Sequence, residues 1–472
     1  MRSALLLSVA LFAACGEPPR PRVAPVLDSV GGRAEHWIAW LGRYLAVDTT
    51  NPPGHEADAI PLLTEALTEL GLTVTSTVWG DRRANLWAKL ESPRADKKGA
   101  IILLHHIDVV PVEREHWTAD PFGGATKDGR IYGRGAQDMK AFAALQLAAL
   151  ERLVKQRDRL DRDVIFLAVA DEEVDGQGAQ RFIRNELEKF GAEYLLDEGG
   201  FALENFVEGH DVVVIATAQK RAAKIKVIAE GEAGHGSRPI PGGGPTVLMH
   251  ALERITSSPS EMRLRPYNVP LFNALGKITP FPRSALLSRI EWPGVLGMLS
   301  GKLSADKNVN PVLRDTWAVT VLRAGDKPNV IPSEASAILD VRLLPDTPLE
   351  TALADLARVV EGLPVRFEVL HQPDPPIEMS PTAGDPLYEA LEAAIVSHHP
   401  DATVVPWLMV GANDSRFFRP RGVKTYGFGP VFVTKPELDG IHGHDESVRV
   451  DAVRRGMTVY ADALERFLLT LR

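Results

Sequence analysis

Apolar positions in the first half of the chain follow two rhythms. Trp37, Ile38, Leu41 and Leu45 recur at helical spacing and run into Asp48-Thr-Thr-Asn-Pro-Pro-Gly54, a dense turn signal. A second helix is predicted with Leu63, Ala66, Leu67 and Leu70 on its inner face and Gly71 as its stop. Short apolar runs then take over at 73–78, 85–90, 101–106 and 164–169, with a helix predicted at about 139–155 between the last two. Strand-length runs bounded by turns and separated by helices predict an α/β fold, a mixed, mostly parallel sheet covered on both faces. In such sheets functional residues gather beyond the carboxyl ends of the strands.

The rhythm changes near Gln219. Lys224-Ile-Lys-Val-Ile-Ala-Glu230 alternates strictly, as does Ala335-Ser-Ala-Ile-Leu-Asp-Val-Arg342, so both predict strands with one wet face in an antiparallel sheet. Between them, 270–303 is apolar enough to be a helical insertion, an acyl-binding wall or a protein contact. From Leu343 the α/β pattern returns and ends in a helix with Asp451 as N-cap and Val453, Met457, Tyr460, Leu464 and Leu468 on one face. The organisation is therefore one domain, 33–218 and 343–472, interrupted by another at 219–342. There is no internal repeat.

At 472 residues the chain exceeds a single ordinary core, in keeping with two domains. A formal charge of −9 excludes a nucleic-acid partner, which would need a basic surface, and leaves carboxylates for cations. Residues 1–15 read as an export signal of lipoprotein type: Arg2, an apolar run over 4–14, then Cys15, the only cysteine. Phe12 departs from the leucine usual three residues before the acylated cysteine; ordinary cleavage near Ala14 is the alternative. Residues 16–32 then form a Pro-rich tether, and the protein is expected in the periplasm or cell envelope, lipid-anchored at Cys15 and without a disulfide.

Candidate chemistry sits at the strand ends. In Ile101-Ile-Leu-Leu-His-His-Ile-Asp108, alternation points His106 and Asp108 one way and His105 the other, which suits a metal ligand with an orienting carboxylate, or plain polar punctuation. Asp138 precedes a helix, where it could be an N-cap. Glu172 and Glu173 are adjacent like charges after a strand, a solvated turn unless a cation lies between them. Asp197 follows another apolar run, and His442 or His444 is a further candidate ligand.

Taken in order, His106-Ile-Asp-Val-Val-Pro111, Trp117, Pro121-Phe122, Asp138-Met-Lys140, Asp171-Glu-Glu173, Asp197-Glu-Gly-Gly200 and Ile441-His-Gly443 resemble the dinuclear zinc hydrolase family of carboxypeptidase S, aminoacylase, acetylornithine deacetylase and succinyl-diaminopimelate desuccinylase. The likeness is greatest to the carboxypeptidase S and N-acyl-amino-acid hydrolase branch. It implies a dizinc aminopeptidase-like catalytic domain with an inserted α+β two-layer lid that dimerises in some relatives. It also implies two Zn2+, with Co2+ or Mn2+ as substitutes: Asp138 bridges them, His106 and Asp197 complete one set, and Glu173 and His442 the other. Three ligand carboxylates against two divalent ions leave one positive charge, which a bridging hydroxide neutralises.

By the same resemblance Glu172 is the general base, Asp108 accepts a hydrogen bond from His106, and a cis peptide follows Asp138. His105, where the family commonly has a small residue, is expected to be structural. Gly231-Glu-Ala-Gly-His-Gly-Ser-Arg-Pro239 resembles the lid motif whose histidine, here His235, stabilises the oxyanion. Asn329 and Arg342 match positions that grip a substrate carboxylate, and Gly411-Ala-Asn-Asp-Ser-Arg416 matches a substrate loop in which Asn413 replaces threonine. The expected function is metal-dependent cleavage of the amide of an N-acyl amino acid or short peptide beside a free carboxylate. The alternatives are a di- or tripeptidase, a desuccinylase-type deacylase, or a metal-binding protein without activity.

Overall fold

The computed structural model describes residues 33–207 and 209–469. The export signal, Cys15 and the tether to residue 32 lie outside the described residues. The central sheet has ten strands and runs Val74–Trp79, Arg83–Leu90, Arg162–Val169, Lys98–His106, Ala192–Asp197, Lys424–Gly427, His210–Gln219, Phe201–Val207 and Phe432–Val433, with Thr403–Met409 paired to His210–Gln219 off this path. Its middle is parallel: Lys98–His106 lies between Arg162–Val169 and Ala192–Asp197 in that sense, while the Val74–Trp79 edge is antiparallel. The mixed, mostly parallel α/β sheet is the one the apolar runs predict.

Alternation along Lys98–His106 divides the core between two layers. Ile101 and Leu103 pack with helices Ala34–Leu45, Lys140–Val154 and Val450–Leu468, whereas Ile102 and Leu104 pack with Phe182, Ile183 and Phe418 on the opposite face. Lys140–Val154 is buried along nearly its whole length because it is covered by sheet and helices together. The closing helix begins one residue before Asp451, which therefore lies in its first turn while Arg449 occupies the N-cap.

A second sheet runs Thr316–Arg323, Glu334–Leu343, Arg221–Glu230 and Val365–His371, all antiparallel. Helices Gly244–Ser257 and Leu349–Val359 cover the face that carries Ala223, Ile225, Val227 and Ala229, giving the two-layer α+β unit. The unit reaches past the expected boundary at 342: Leu349–Val359 and Val365–His371 belong to it. Val365–His371 is a short edge strand whose pairing partner, Arg221–Glu230, lies far back in the chain, which is why its membership did not stand out in the sequence.

The apolar segment 270–303 forms helices Val269–Ile278, Arg283–Leu287 and the greater part of Val295–Ala305. Their inner side chains Leu271, Phe272, Leu275, Leu287, Ile290 and Leu303 share a core with Val212, Val214, Val405 and Leu408 of the central sheet. The segment is thus a helical insertion that staples the second unit to the first. Phe272 is 1% exposed at this junction. Phe272→Ala is expected to lower unfolding free energy by about 3–5 kcal/mol, the usual range for a buried aromatic. Urea denaturation followed by tryptophan fluorescence checks this; a loss under about 1 kcal/mol would show that the insertion carries little of the fold.

Candidate metal centre and active site

His106 ends its strand fully buried. Its Nδ1 lies 2.9 Å from the main-chain oxygen of Asp108, so Nδ1 carries the proton and Nε2 of the neutral ring is an acceptor. That Nε2 faces Asp138 Oδ1 at 2.9 Å. Two acceptors at that separation require a proton or a metal cation between them. The other Asp138 oxygen, Oδ2, stands 3.1 Å from His442 Nε2, which is also 3.3 Å from Glu173 Oε1. One carboxylate thereby presents one oxygen to each of two histidines, the arrangement of a bridge between two ions.

Loops that meet from distant parts of the chain hold these groups. Glu446, buried, accepts from the amides of Gly135, Gln137 and Asp138 at 3.2, 2.8 and 3.3 Å, and from Arg134 Nη1 at 2.6 Å. Arg134 Nη2 donates to the carbonyl of His442 at 3.2 Å, so one ion pair ties the Asp138 loop to the His442 loop. The Asp138–Met139 peptide is cis, as the resemblance implies, and Lys140 Nζ donates to Val47 O at 2.7 Å from the first turn of its helix. His442 itself has φ +60°, as does Asp171 at +75° before the glutamate pair: left-handed, non-glycine conformations of the kind that gather at functional loops.

Asp108 works differently from expectation. Its Oδ1 is 3.7 Å from His106 Nδ1, and the ring is fixed by the Asp108 carbonyl instead. The carboxylate accepts from the backbone amides of Glu172 and Glu173, each at 3.1 Å, and from Asn51 Nδ2 at 2.8 Å. Asn51 Nδ2 also reaches Asp171 Oδ1 at 3.1 Å, and Arg83 closes the web on Asn51 and Glu56 at 2.8 and 2.7 Å. Asp108 therefore shapes the turn that aims Glu172 and Glu173, and the histidine reads only its main chain.

Asp197, expected as a ligand, lies outside the groups that could hold an ion. Its Oδ2 accepts from Ser415 N and Oγ at 3.0 and 2.9 Å, and its Oδ1 from the Glu198 amide at 2.8 Å. Glu198 stands in its place: ligand atoms of His106, Glu172 and Glu198 lie within 4.8 Å of one another, as do those of His106, Asp138 and Glu173. Gly199 follows with φ +95°, and a Cβ there would meet Met409 Sδ at 2.6 Å, so the chain turns away from Glu198 on glycine. The signal for Glu198 was its place in Asp-Glu-Gly-Gly; choosing between the neighbours required knowing what Ser415 binds.

The electrostatics ask for positive charge. Burial pushes the Glu172 and Glu198 carboxyls well above the usual range, with neighbouring carboxylates adding to the effect, and Glu173 moves the same way. Hydrogen bonds that His442 donates to Asp138 and Glu173 raise it to about 10. Glu173 Oε1 is buried with His442 Nε2, itself shared with Asp138, at 3.3 Å. The acceptor-to-acceptor approach of His106 to Asp138 and a surplus of carboxylates over histidines fit divalent cations on N/O ligands. His105 is structural: buried, with Nδ1 3.0 Å from Gln146 Oε1. His444 is exposed, 3.1 Å from Glu113.

The remaining expected residues fall into two places. Asn413 Nδ2 donates to the Glu198 carbonyl at 2.9 Å, and Arg416 Nη1 lies 3.7 Å from Glu172 Oε1, which brings the Gly411–Arg416 loop to the centre; Gly411 lies beside Met409 at its start. His235 and Asn329 meet one another on the second unit, where Gly236 N donates to Asn329 O at 2.8 Å, and neither bonds to the cluster. Arg342 is paired to Asp340 at 2.7 Å. Beside Asp138 and Glu198 opens a cavity of about 240 Å³ lined by Phe142, Phe201, Met409, Val431, Leu438 and Ile441, among others, with no basic side chain. No residue of 270–303 reaches it, so that segment is not an acyl-binding wall of this cavity.

The family model for "Peptidase family M20/M25/M40" matches residues 102–466. The chain belongs to that family. Among curated relatives, the human N-fatty-acyl-amino acid synthase/hydrolase PM20D1 is 31% identical over 360 residues, 74% of this chain and 70% of that protein. Mouse aminoacylase-1 is 29% identical over 450 residues, 91% of this chain and 95% of the relative. The M20 family metallo-carboxypeptidase Sso-CP2 of Sulfolobus solfataricus shares the fold, with a TM-score of 0.66 at 16% identity over 92% of this chain and 99% of its own. Membership of peptidase family M20/M25/M40 makes this chain a hydrolase of the metallopeptidase and amidohydrolase type.

Metal titration separates the roles of the M20 residues. Glu198→Gln is expected to lose one of two divalent-ion sites in calorimetry with Zn2+, and Ser415→Ala to weaken that site by about 10–100-fold, the usual range for a residue that orients a ligand. Parent-like binding of both ions by Glu198→Gln would return the assignment to Asp197.

Proposed function

We propose that this chain hydrolyses the amide of an N-acyl amino acid, or of a short peptide, next to a free carboxylate. The observation that carries the reading is the position of Glu172. It is a buried carboxyl beside the two-ion ligand set, without a backbone donor on its side-chain oxygens, in a centre that opens on an apolar cavity. His106, Asp138 and Glu198 would hold one ion, and Asp138, Glu173 and His442 the other; we propose zinc, with cobalt or manganese as substitutes. When bound, such ions polarise a carbonyl and acidify water.

The protein's own groups do the rest. Glu172 takes a proton from the attacking water and delivers it to the departing amine nitrogen. Arg416 lies opposite Glu172 and limits how far its carboxyl can swing. The cavity carries no basic side chain and two acidic ones, Asp138 and Glu198, so a substrate carboxylate is repelled there and an apolar acyl group or side chain is accepted. The carboxylate end goes to Arg342 and Asn329, and the developing oxyanion to His235. These three sit on the second unit and reach substrate when it approaches the centre, within one chain or from a second copy in a homodimer. A di- or tripeptidase would use the same centre.

Turnover of the metal-loaded protein on N-acyl amino acids and dipeptides, each with a free or amidated carboxyl end, tests this. The parent should favour free acids on the order of 10–100-fold, the worth of a charge-assisted pair, and Arg342→Ala should erase that preference. Glu172→Gln should retain both ions while kcat falls about 10²–10⁴-fold. A glutamine variant as active as the parent would remove Glu172 from the proton path.

We also propose export and acylation at Cys15, which rest on the apolar run over 4–14 ending at the single cysteine. Metabolic labelling with a fatty-acid analogue should tag the parent and not Cys15→Ser; equal labelling of both would refute acylation at Cys15.

A further inference from the structure

Phe281 and Met298 are the most exposed large apolar side chains among the described residues, at 83% and 69%, and Trp292 is exposed at 61%. All three lie on the helical insertion. Phe281 occupies the turn between Val269–Ile278 and Arg283–Leu287, Trp292 the turn before Val295–Ala305, and Met298 that last helix. They are not displaced core residues. The insertion already buries Phe272, Leu275, Leu287 and Leu303 against the central sheet, so its exposed apolar side chains stand on a packed base.

Charge says what covers that surface. Between 277 and 302 the segment carries Lys277, Arg283, Arg289 and Lys302 against Glu291 alone, in a chain of formal charge −9. Lys277, Arg289 and Lys302 are exposed, and the Arg289 guanidinium lies 5.1 Å from the Trp292 ring centroid. A second copy of this chain in a two-fold contact would bring the same basic patch against itself. An anionic bilayer offers both features at once: phosphates for the cations and an interface for Trp and Phe at turn tips. No described helix is long and apolar enough to cross a membrane, so the contact is with the surface.

We infer that the outward side of 277–302 is a lipid-docking face, with Phe281, Trp292 and Met298 entering the interface of an anionic membrane and Lys277, Arg289 and Lys302 pairing with its phosphates. The face is separate from the metal centre, and the inference stands independently of which amide is cleaved.

The test uses the full chain carrying Cys15→Ser, so that no acyl anchor contributes, and vesicle sedimentation with phosphatidylglycerol–phosphatidylcholine or phosphatidylcholine alone. Against this parent, F281S/W292S/M298S should bind phosphatidylglycerol vesicles about tenfold more weakly or less, given the interfacial worth of such side chains. R289E/K302E should lose the preference for phosphatidylglycerol, and parent binding should fall as salt rises. Near-UV circular dichroism and turnover of a water-soluble substrate should match the parent; Trp292→Ser alone serves if the triple variant does not fold. Equal vesicle binding by parent and apolar variants would overturn the inference. So would a parent that binds no vesicles and is a dimer broken to monomers by the triple variant, which would assign the face to a second copy.

Discussion

Four carboxylates, Asp138, Glu172, Glu173 and Glu198, converge on His106 and His442 at the end of the central sheet, and their mutual repulsion in a buried place is the constraint around which the rest is arranged. The hydrogen bond from His106 Nδ1 to a carbonyl removes the option of an Nε2 proton in the neutral ring, so the Asp138 approach calls for a second proton on the ring or a metal cation. Burying several like charges costs far more than any single hydrogen bond returns. A set of groups that is unfavourable alone and favourable around divalent ions is how a folded chain stores affinity for them.

Holding such a set apart from collapse takes a second layer of buried polar groups. Glu446 and Arg134 anchor the loops of Asp138 and His442 to each other, Asp108 and Asn51 shape the glutamate turn, and Ser415 and Asn413 hold the Asp197–Glu198 corner. Glu446, Arg134, Asp108 and Asn413 satisfy backbone donors or acceptors, while Asn51 and Ser415 satisfy the buried carboxylates of Asp108 and Asp197. The consequence is that the ligands' positions are determined by contacts hundreds of residues apart in sequence. Asp197 and Ser415, for example, are separated by 218 positions.

That distance explains what was legible in the sequence. Apolar periodicity revealed four strands of the central sheet, the two alternating strands of the second sheet and the closing helix, because burial on one or two faces writes itself into local pattern. The end of a central strand displayed His106 and the turn after another displayed Glu173, while Asp138 and His442 stood out only through the motifs that hold them. The pattern could not distinguish Asp197 from Glu198, since neighbours at the end of a strand differ by one step of alternation and the decision belongs to Ser415. Nor could it show that Asp108 serves the glutamate turn: a His-x-Asp pair suggests a side-chain bond, and the ring found the carbonyl instead. The boundary at 342 failed for a related reason, because Val365–His371 is a half-exposed edge strand whose partner, Arg221–Glu230, lies far back in the chain.

The helical insertion shows the limit of composition most clearly. Its apolar content counts Phe272 and Phe281 alike, yet Phe272 is 1% exposed and Phe281 83% exposed. Helical spacing identifies an inner face only when the opposite face is polar; here the opposite face is apolar and basic, and the hydrophobic signal is spread around the whole element. A segment with apolar residues on both sides must be covered on both sides. The central sheet covers one, through Val212, Val214, Val405 and Leu408, and the stability of that junction keeps the other presented as a surface instead of collapsing inward. The same residues that fasten the second unit to the catalytic sheet thus hold a basic, aromatic face open to whatever lies outside the molecule.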